Sequence, residues 1–564
     1  MPAIVTNKFR IHNAKQFVEA FDEISATSGD AITDASGLLN THMYLFIGKV
    51  TPWSDDTVPD TPTDSVSNTV YNHWRDMIAA KKIGSTDVSH VAPRYNWTSG
   101  SNYFAYNNAN NALFDQQFYV MTDDYNVYKC LANNNAGGTS TNKPTGTGTA
   151  LVATADSYKW KFMYQISAAR ALKFVTPSYF PTQRVRKSNG AIANTSDSSF
   201  QYDVENTAET VTPLTLGGNG AVEVVHISAG GSGYRFETGI VIVGETPTGT
   251  SCEITGSGLV DNSIIGSDIY FPSEVVGGTS GVTGKGATIT DYVDSTNVVT
   301  WSPALASANV PVAGDGYSIG PKIAITGDGQ GANVRVIKAA TGVIGDAIVV
   351  LGGNNYGNAV ATITTTGGAG SQGTGGALTP IIGPRGGHGD DAVEELGGFF
   401  VMVNSRLEYG DSGNFTTNND FRKIGLLAQP LYANGDIATA STIDQCVTIT
   451  VQSWNSTAFA EDELVTGAVS GATGKVVDFK DNNTTLRLVD VTTGTSTVPG
   501  FDTIKGSFAT NEAITGAGGA GANTNGVTGG DLLKFSGDVL YIENRSPVTR
   551  ADDQIEDVKL IIEF

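Results

Sequence analysis

The chain has 564 residues, with 56 acidic against 34 basic side chains and a formal net charge of −22. Its length exceeds the roughly 250–300 residues that one hydrophobic core usually serves, so we expect several domains. The acidic balance argues against nucleic-acid binding, which needs clustered Lys and Arg side chains to hold phosphates. The three cysteines match no metal-ligand or redox spacing and are predicted to be buried apolar residues: Cys130, Cys252 and Cys446.

Neither a secretory signal nor a membrane span is predicted. The first ten residues lack the continuous apolar segment that a secretory signal requires. The longest apolar runs are strand-sized, well short of the roughly 18 apolar residues that cross a bilayer as a helix. We therefore expect a protein that is soluble or belongs to an assembly.

The N-terminal region predicts two amphipathic helices with a strand between them. Asn13 begins an N-cap pattern, and apolar residues then recur at helical spacing over residues 14–25. The same spacing predicts a second helix over residues 66–81. Residues 43–48 are rich in β-formers and too few for a helix, so they predict a buried strand.

From about residue 115 the pattern changes to strands and turns. Residues 117–121 and 127–131 flank a polar turn and predict a hairpin. Residues 158–164 alternate lysines with aromatic residues, which predicts a strand with its aromatic face on a core and its lysine stems across the other face. Residues 538–543 and 558–564 predict two further strands that complete a sheet.

Glycine divides the chain into denser and looser regions. Of the 68 glycines, 48 lie in residues 215–383 and 442–530, whereas residues 1–214 hold four of the six tryptophans. We interpret the glycine-rich regions as insertions into an aromatic core. The predicted organisation, in chain order, is an N-terminal core region (residues 1–214), a glycine-rich β insertion (215–383), a core return segment (384–441), a second glycine-rich β insertion (442–530) and C-terminal core strands (531–564).

The first insertion carries a degenerate repeat, in which a glycine-rich turn and a tyrosine precede a short apolar strand. The tyrosines are Tyr234, Tyr317 and Tyr356, and each ring is expected to lie over the next strand. The unequal spacings argue against a regular solenoid. Residues 277–285 resemble residues 467–475, which indicates related β-modules in the two insertions.

Patterns that suit a ligand are weak. The Gly-Lys endings of those two related elements lack the glycine and hydroxyl positions of a phosphate loop. Residues 386–394 fit the nonapeptide of calcium-binding β-rolls once, and a structured loop explains a single copy better, because calcium there is shared between successive turns. Prolines around Asp55, Asp56, Asp60 and Asp64 favour a stiff solvated loop over a cation site. The six histidines show no catalytic or metal-ligand grouping, so we predict no catalytic, cofactor-binding or metal-binding residue.

A set of motifs in the denser regions resembles one known family. In chain order they are residues 51–56 (TPWSDD), 71–77 (YNHWRDM), 91–97 (VAPRYNW), 119–130 (YVMTDDYNVYKC), 158–161 (YKWK), 386–389 (GGHG), 421–425 (FRKIG), 541–545 (YIENR) and 558–564 (VKLIIEF). In this order they resemble the baseplate wedge subunit family known as gene product eight of T-even-like contractile-tailed bacteriophages. The likeness covers residues 1–214, 384–441 and 531–564 and does not extend to the insertions.

The resemblance implies a structural protein without catalysis. It implies a homodimer in each of six wedges of the virion tail baseplate, assembled in the host cytoplasm and bound to other wedge proteins. Its contacts would rearrange when the tail contracts. Large subunit contacts of this kind are rich in aromatic residues, as residues 1–214 are.

The expected fold is mainly β (α+β): a multi-domain, β-sandwich-like core with two small helices and two glycine-rich all-β insertion domains. The exposed-loop residues predicted to contact neighbouring proteins are Trp53, Asp55, Asp56, Arg94 and Tyr95. No nucleic acid and no cofactor is expected as a partner.

Two other functions stay open. The β-modules of the insertions would suit a tail protein that binds host-surface glycans, and a polysaccharide-degrading site on an insertion is a further alternative. Trp301 and Trp454 are the only tryptophans of the insertions. Because sugar rings stack on aromatic rings, this scarcity favours contact with neighbours, or passive filling between wedges, over glycan binding.

Overall fold

The computed structural model is mainly β with several sheets, which confirms the predicted fold class. Five helices lie in the stretches of the chain that it describes, where the sequence predicts two. The described residues are 3–21, 24–25, 39–40, 42–64, 68–133, 138–186, 199–211, 220–241, 248–255, 259, 261, 263–271, 287–305, 310–311, 316–340, 342–364, 373–408, 411–417, 419–480, 483–493, 507–551 and 554–564.

The helices are short. They are α1 (Asn7–Glu19), α2 (Asn68–Asp76), α3 (Ala168–Phe174), α4 (Ser199–Val211) and α5 (Ala392–Glu395). None of those in the described stretches has the length needed to cross a membrane.

The strands make up most of the ordered structure. The first are β1 (Ile24–Ser25), β2 (Leu39–Asn40), β3 (Met43–Gly48), β4 (Met77–Ile83), β5 (Val88–Pro93), β6 (Tyr119–Met121), β7 (Asn126–Asn133), β8 (Leu151–Ala153), β9 (Tyr158–Gln165), β10 (Tyr179–Thr182), β11 (Val222–Ser232), β12 (Glu237–Ile240), β13 (Ser251–Glu253) and β14 (Asp268–Tyr270). Then follow β15 (Ala287–Val293), β16 (Val298–Ser302), β17 (Gly316–Gly320), β18 (Lys322–Gly327), β19 (Gln330–Ala340), β20 (Val343–Asn354), β21 (Ala359–Thr364), β22 (Thr374–Ile382), β23 (Phe400–Glu408) and β24 (Asp420–Ala428). The last are β25 (Thr442–Asp444), β26 (Val447–Gln452), β27 (Leu464–Gly467), β28 (Ala472–Lys480), β29 (Thr485–Thr493), β30 (Ala513–Gly516), β31 (Gly521–Thr528), β32 (Asp538–Thr549) and β33 (Ile555–Glu563).

Several predicted elements are confirmed. Strand β3 occupies the predicted residues 43–48, and β9 covers the predicted residues 158–164. Strands β32 and β33 cover the two predicted C-terminal strands except for Phe564, but β32 continues to Thr549 and the two strands belong to different sheets. Strands β6 and β7 form the predicted hairpin, with Val120 opposite Tyr128. The three cysteines are free and buried, as expected.

The first predicted helix is wrong in its limits. Helix α1 begins at Asn7 because the Thr6 hydroxyl accepts a hydrogen bond from the Phe9 backbone N–H, so Thr6 rather than Asn13 is the N-cap. The helix ends at Glu19, and Ile24–Ser25 forms strand β1 instead of the last helical turn.

The second predicted helix is wrong over its C-terminal portion. Helix α2 ends at Asp76, and residues 77–81 belong to strand β4. This strand pairs with β3 on one side and β25 on the other, so two backbone ladders outweigh the helical spacing of its apolar residues. Residues 65–67 of the predicted helix lie outside the described residues.

The chain forms two compact units, residues 1–90 with 399–564 and residues 91–398. In the first unit five strands form an antiparallel sheet in the order β25-β4-β3-β24-β32. Alternate side chains of β3 enter different hydrophobic clusters: Leu45 and Ile47 point into one, and Tyr44 and Phe46 into the other. Every residue of β3 is therefore buried.

Residues 447–528 of the first unit form a closed six-stranded barrel in the order β26-β29-β28-β27-β30-β31. Its halves, β26 to β28 and β29 to β31, repeat one arrangement. Strands β27 and β30 pair antiparallel about Thr466 and Thr515, and Phe459 and Phe508 take equivalent buried positions. The turn predicted within residues 467–475 joins β27 to β28, whereas residues 277–285 lie outside the described residues.

A glutamate from each half of the barrel binds the glycine-rich turn of the other half. The Glu512 carboxylate accepts hydrogen bonds from the backbone N–H groups of Val469 and Ser470, both at 2.8 Å. In the equivalent position, Glu463 accepts a hydrogen bond from the Gly518 backbone N–H. The two reciprocal contacts hold the halves together at the β27–β30 seam.

In the second unit, the central strands β7 and β9 of the sheet β6-β7-β9-β8 carry buried side chains on both faces. Trp160 and Phe162 enter one hydrophobic cluster, and Met163 enters the other. Lys129 and Lys161 are cross-strand neighbours on the second face, and both side chains are buried. At Lys161 the lysine face of residues 158–164 is thus buried, which the sequence did not predict, whereas Lys159 on the same face stays partly exposed.

The repeat in residues 215–383 forms matching tyrosine–strand contacts. The hydroxyl of Tyr234 accepts a hydrogen bond from the Gly376 N–H at 3.1 Å, and that of Tyr356 from the Ala332 N–H at 3.3 Å. In these two copies the glycine three residues before the tyrosine has a positive φ, 62° and 63°, which a residue with a Cβ adopts poorly. Their hydroxyls contact β22 and β19, the partners of the strands that precede each turn. In the third copy Tyr317 lies within β17 and its hydroxyl donates to the Thr255 carbonyl. Residues 242–243 and 312–315 of the repeat lie outside the described residues.

In each glycine-rich segment, residues near the two ends of its described part are joined by a backbone hydrogen bond. At the first, the Gly383 N–H donates to the Ala221 carbonyl at 2.9 Å, where β11 and β22 pair. At the second, the Asp531 N–H donates to the Asp444 carbonyl at 2.8 Å, beside the pairing of β26 with β31. Each segment therefore joins the rest of its unit through two adjacent antiparallel strands.

We predict that Glu512→Ala opens the barrel seam. The Glu512 side chain is almost fully buried, and its loss leaves the Val469 and Ser470 N–H groups without their charged acceptor. Hydrogen bonds to charged groups contribute about 1.5–3 kcal/mol each. Hydrogen–deuterium exchange of a peptide covering residues 464–471 should speed up by at least about tenfold, since about 1.4 kcal/mol corresponds to that factor.

The control is Glu461→Gln, which changes an exposed carboxylate close by in the same barrel. Its exchange rates should stay as in the unsubstituted protein. Equal rates for Glu512→Ala and the unsubstituted protein would show that the reciprocal contacts do not hold the seam.

Candidate functional site

The residues predicted to contact neighbours fall in both units. Trp53, Asp55 and Asp56 lie in the loop after β3 of the first unit, and Arg94 and Tyr95 follow β5 in the second unit. Neither unit contains all five residues, and their role as contacts with neighbouring proteins stays a prediction.

Trp53 is half-buried and makes contacts within the chain. Its indole Nε1–H donates to the Arg545 carbonyl at 3.0 Å, and its backbone N–H donates to Asp56 at 2.8 Å. The Lys49 ammonium lies 4.3 Å from the centroid of the indole ring. Trp53 therefore fixes the loop of residues 51–62 to strand β32, and a portion of its ring stays exposed.

Asp56 and Asp55 differ in their environment. Both oxygens of Asp56 accept hydrogen bonds at 2.9 Å from the Arg422 guanidinium, which also donates to the Val50 carbonyl. Arg422 and the Trp53 N–H lower the pKa of Asp56. Asp55 is exposed and accepts hydrogen bonds from its neighbour Thr57. Of the two, Asp55 has the carboxylate that another protein can reach without breaking an ion pair.

Arg94 and Tyr95 are also half-buried. The guanidinium of Arg94 donates to the Asn96 side chain and to the Thr176 carbonyl, both at 2.9 Å. The ring of Tyr95 packs against Tyr119, with centroids 5.3 Å apart. Both side chains are therefore engaged within the second unit and only partly exposed.

A buried ionic cluster lies under the second face of the β6-β7-β9-β8 sheet. The Lys129 ammonium donates to the Glu395 carboxylate at 2.7 Å and to His388 Nδ1 at 2.8 Å, and it lies 4.1 Å from the centroid of the Tyr106 ring. We call these four residues the lysine cluster. Because an ammonium group can only donate, His388 Nδ1 is the acceptor and its ring proton is on Nε2. That nitrogen lies 3.9 Å from a Glu223 oxygen.

Burial and charge act together on the pKa values of the lysine cluster. Burial by itself would raise the pKa of Glu395, but Lys129 and His388 lower it to about 2. Burial lowers the pKa of His388, and the neighbouring ammonium lowers it further. Burial also lowers the pKa of Lys129, against the opposing effect of Glu395. The cluster therefore holds an ionised carboxylate and a neutral imidazole near neutral pH.

The loop of residues 386–394 contributes His388 to the lysine cluster. Two carboxylates of the loop itself, Asp390 and Asp391, are held in place by hydrogen bonds and an ion pair. Asp391 accepts hydrogen bonds from the Val393 and Glu394 N–H groups and caps helix α5. Asp390 forms an ion pair with Arg184 at 2.8 Å. Among the residues that the structure describes, no group of three or more His, Cys, Asp or Glu side chains is placed to hold a metal ion.

An open cleft of about 520 Å³ lies beside the lysine cluster in the second unit. One wall is the segment of residues 102–116 together with Asn133, and the other comes from β11 and β22, which contribute His226, Thr379 and Ile381. Tyr106 belongs to both the cleft and the cluster. The five amide side chains in its wall are Asn102, Asn107, Asn110, Gln116 and Asn133.

The sequence reasoning missed both features. The asparagines around Tyr103, Phe104 and Tyr106 are a visible signal for the cleft, but the strands that close it come from residues 222–232 and 374–382. The lysine cluster joins residues more than 250 positions apart, 259 for Lys129 and His388. No spacing rule connects such positions.

The fold and these sites define a mainly β, multi-domain protein with a buried ionic cluster and an amide-lined cleft. No protein-family model matches the sequence. No curated protein matches it either.

We predict that Lys129→Met destabilises the second unit by about 3–5 kcal/mol, because it leaves the Glu395 charge buried without its partner. Urea unfolding followed by circular dichroism measures the change. The double variant Lys129→Met/Glu395→Gln should recover much of the loss, since neither partner is then charged.

Lys159→Met is the matched control. The Lys159 side chain is on the same strand as Lys161 but pairs with Asp346 near the surface, with 20% of its own area exposed. Its replacement should cost about 1 kcal/mol or less. Equal losses for Lys129→Met and Lys159→Met would rule out a special role for the buried pair.

We predict that the lysine cluster makes the free energy of unfolding decrease in two steps as the pH is lowered. The folded-state pKa of His388 lies below its ordinary 6.5, so below about pH 6.5 the unfolded chain binds a proton that the folded chain does not, and the free energy of unfolding decreases. The folded-state pKa of Glu395 is about 2 against an ordinary 4.5, so its contribution is complete above about pH 4.5 and is lost towards pH 2. Urea midpoints measured across this range test both steps.

His388→Gln should weaken the pH dependence between about pH 6.5 and 4.5. His12→Gln, at an exposed histidine of α1, should leave it as in the unsubstituted protein. An unchanged slope for His388→Gln would contradict the assignment.

Proposed function

We propose that this protein is a structural subunit of a contractile-tail baseplate wedge. It holds neighbouring wedge proteins together, acts as a homodimer and changes its contacts when the tail contracts. It binds no substrate for chemical conversion and is incorporated into the virion from the host cytoplasm.

One observation carries the proposal: the motifs that resemble the wedge family contact one another inside each unit. In the first unit Asp56, from the motif at residues 51–56, binds Arg422. Lys423, the next residue, binds Asp76 of the motif at residues 71–77 at 2.6 Å. Trp53 binds the carbonyl of Arg545 in the motif at residues 541–545.

The second unit repeats this behaviour. Lys129 belongs to the motif at residues 119–130, and His388 to the motif at residues 386–389. Lys161, from the motif at residues 158–161, lies on the same buried face as Lys129. The motifs on either side of residues 215–383 therefore pack as one core.

Motifs that meet in a core support common descent better than motifs spread over a surface, because each constrains the residues that the others can tolerate. Buried ion pairs are strong constraints of this kind: loss of one partner leaves the other charge unpaired. The resemblance thus rests on a set of interacting residues.

The decisive test locates the protein in particles. Mass spectrometry of purified contractile tails should detect this chain, and cryo-electron microscopy should fit its two units into each sector of a six-fold baseplate. Sedimentation of the purified protein should give a dimer. A protein that stays monomeric and is never found in tails would sink the proposal.

A surface variant tests the predicted contacts separately from the fold. Asp55→Lys reverses the charge of an exposed side chain that bonds within its own loop, so the unfolding free energy should change by no more than about 0.5 kcal/mol. Incorporation into baseplates should fall. Asp538→Lys, at another exposed carboxylate of the same unit, is the control and should be incorporated normally.

A further inference from the structure

We propose that the amide-lined cleft of the second unit binds a neutral oligosaccharide. The cleft is a cavity of about 520 Å³ open to solvent, large enough for a few sugar rings. This activity goes beyond the proposed assembly role and rests on the cleft alone.

The chemistry of the lining suits hydroxyl groups. Five of the residues that line the cleft have amide side chains, and an amide carries both an N–H donor and a carbonyl acceptor. Some of these groups already bond within the chain, as the Asn110 amide does with Gln116, and each oxygen keeps a second lone pair for a ligand. Every sugar hydroxyl is likewise both a donor and an acceptor. A wall of amides therefore matches a polyhydroxylated ligand without selecting for a charge.

An aromatic platform lies among these amides. Phe104 is 51% exposed, although the neighbouring Tyr103 and Tyr106 are buried. Its backbone N–H donates to the Gln117 carbonyl at 3.0 Å, which fixes the segment so that the ring stays at the surface. The exposed face of such a ring can pack against the C–H face of a sugar, and this contact removes apolar area from water.

Two polar side chains of the cleft have unused hydrogen-bonding groups among the described residues. Asn133 Oδ1 is shielded from solvent and accepts no hydrogen bond, although the amide nitrogen of Asn133 donates to the Tyr103 carbonyl at 3.0 Å. The half-buried His226 ring makes no hydrogen bond there either, and burial lowers its pKa, so it is neutral near pH 7. Polar groups removed from water usually have partners, so Asn133 Oδ1 points to a ligand that donates to it, and the partly exposed His226 ring can bond the same ligand.

The walls of the cleft are held in place before a ligand arrives. The Asn108 side chain accepts a hydrogen bond from the Ile382 N–H at 3.1 Å and ties the segment of residues 102–116 to strand β22. The Asn110 amide donates to the Gln116 side chain at 2.8 Å. Such preorganisation reduces the entropy lost on binding.

The charge of the lining selects against ionic ligands. The described residues of the cleft include no Lys or Arg to hold a phosphate or carboxylate, and no Asp or Glu to hold a cation. The chain as a whole carries a net charge of −22, which repels acidic polysaccharides further. A neutral glycan is therefore the class that fits.

The test uses the purified full-length protein and a panel of neutral hexose and N-acetylhexosamine tetrasaccharides, with acidic tetrasaccharides alongside. Saturation-transfer difference NMR should show binding of at least one neutral tetrasaccharide and none of the acidic ones. Phe104→Ala should lower the affinity at least about tenfold, and Phe104→Tyr, which keeps the ring, should restore it.

Phe9→Ala, at an equally exposed phenylalanine of the first unit, is the control and should bind as the unsubstituted protein does. The proposal is overturned if no neutral tetrasaccharide binds at millimolar concentration, if acidic ones bind better, or if Phe104→Ala binds equally well. Because binding is measured outside particles, its failure leaves the wedge proposal untouched, and absence from tails leaves the cleft untouched.

Discussion

The structure depends on buried, positively charged side chains that pair with carboxylates from distant segments of the chain. Lys129, Lys423 and Arg487 are each almost fully removed from water. They bind carboxylates that lie 266, 347 and 43 residues away along the chain, on Glu395, Asp76 and Asp444 respectively. A buried charge without its partner costs several kcal/mol, so these pairs discriminate strongly between correct and incorrect strand neighbours. Apolar contacts supply most of the driving force, but they are non-directional. The ion pairs therefore add a penalty to arrangements in which these segments do not meet.

Local sequence patterns predict the strands with two buried faces well. Residues 43–48 and the hairpin that begins at residue 117 are short segments that contain β-branched and aromatic residues and are bounded by turn residues. No local helical pattern therefore competes with the strand. Residues 77–81 were predicted wrongly because their apolar residues also fit a helix. Their strand conformation comes from partners on both sides, β3 and β25, which no window of sequence contains. Tertiary pairing decides such ambiguous segments.

The site was harder to foresee than the fold. The sequence singled out the loop around Trp53 and the segment at Arg94, and both are half-buried and tied to the chain by hydrogen bonds. Nothing in their spacing indicates the partners that hold them. The cleft and the lysine cluster are assembled from strands whose order is set by long-range pairing. The sequence therefore shows only their composition: asparagine beside aromatic residues for the cleft, and lysine within an apolar strand for the cluster. Internal repetition was only partly visible: the tyrosine motifs of the first insertion can be aligned in the sequence, whereas the two halves of the barrel were recognised from the pairing of β27 with β30.

The adjoining ends of the glycine-rich segments have a genetic consequence. The chain enters the barrel after Asp444 and leaves it before Asp531, and the Asp531 N–H donates a hydrogen bond to the Asp444 carbonyl, so the two ends of the barrel segment are adjacent. A cassette with this geometry can be gained, lost or exchanged by recombination, because a tight turn would join the remaining ends with little change in loop entropy. The rest of the protein keeps its structure in such an event. Sequence variation can then accumulate in the exchanged module while the buried ion pairs outside it are kept.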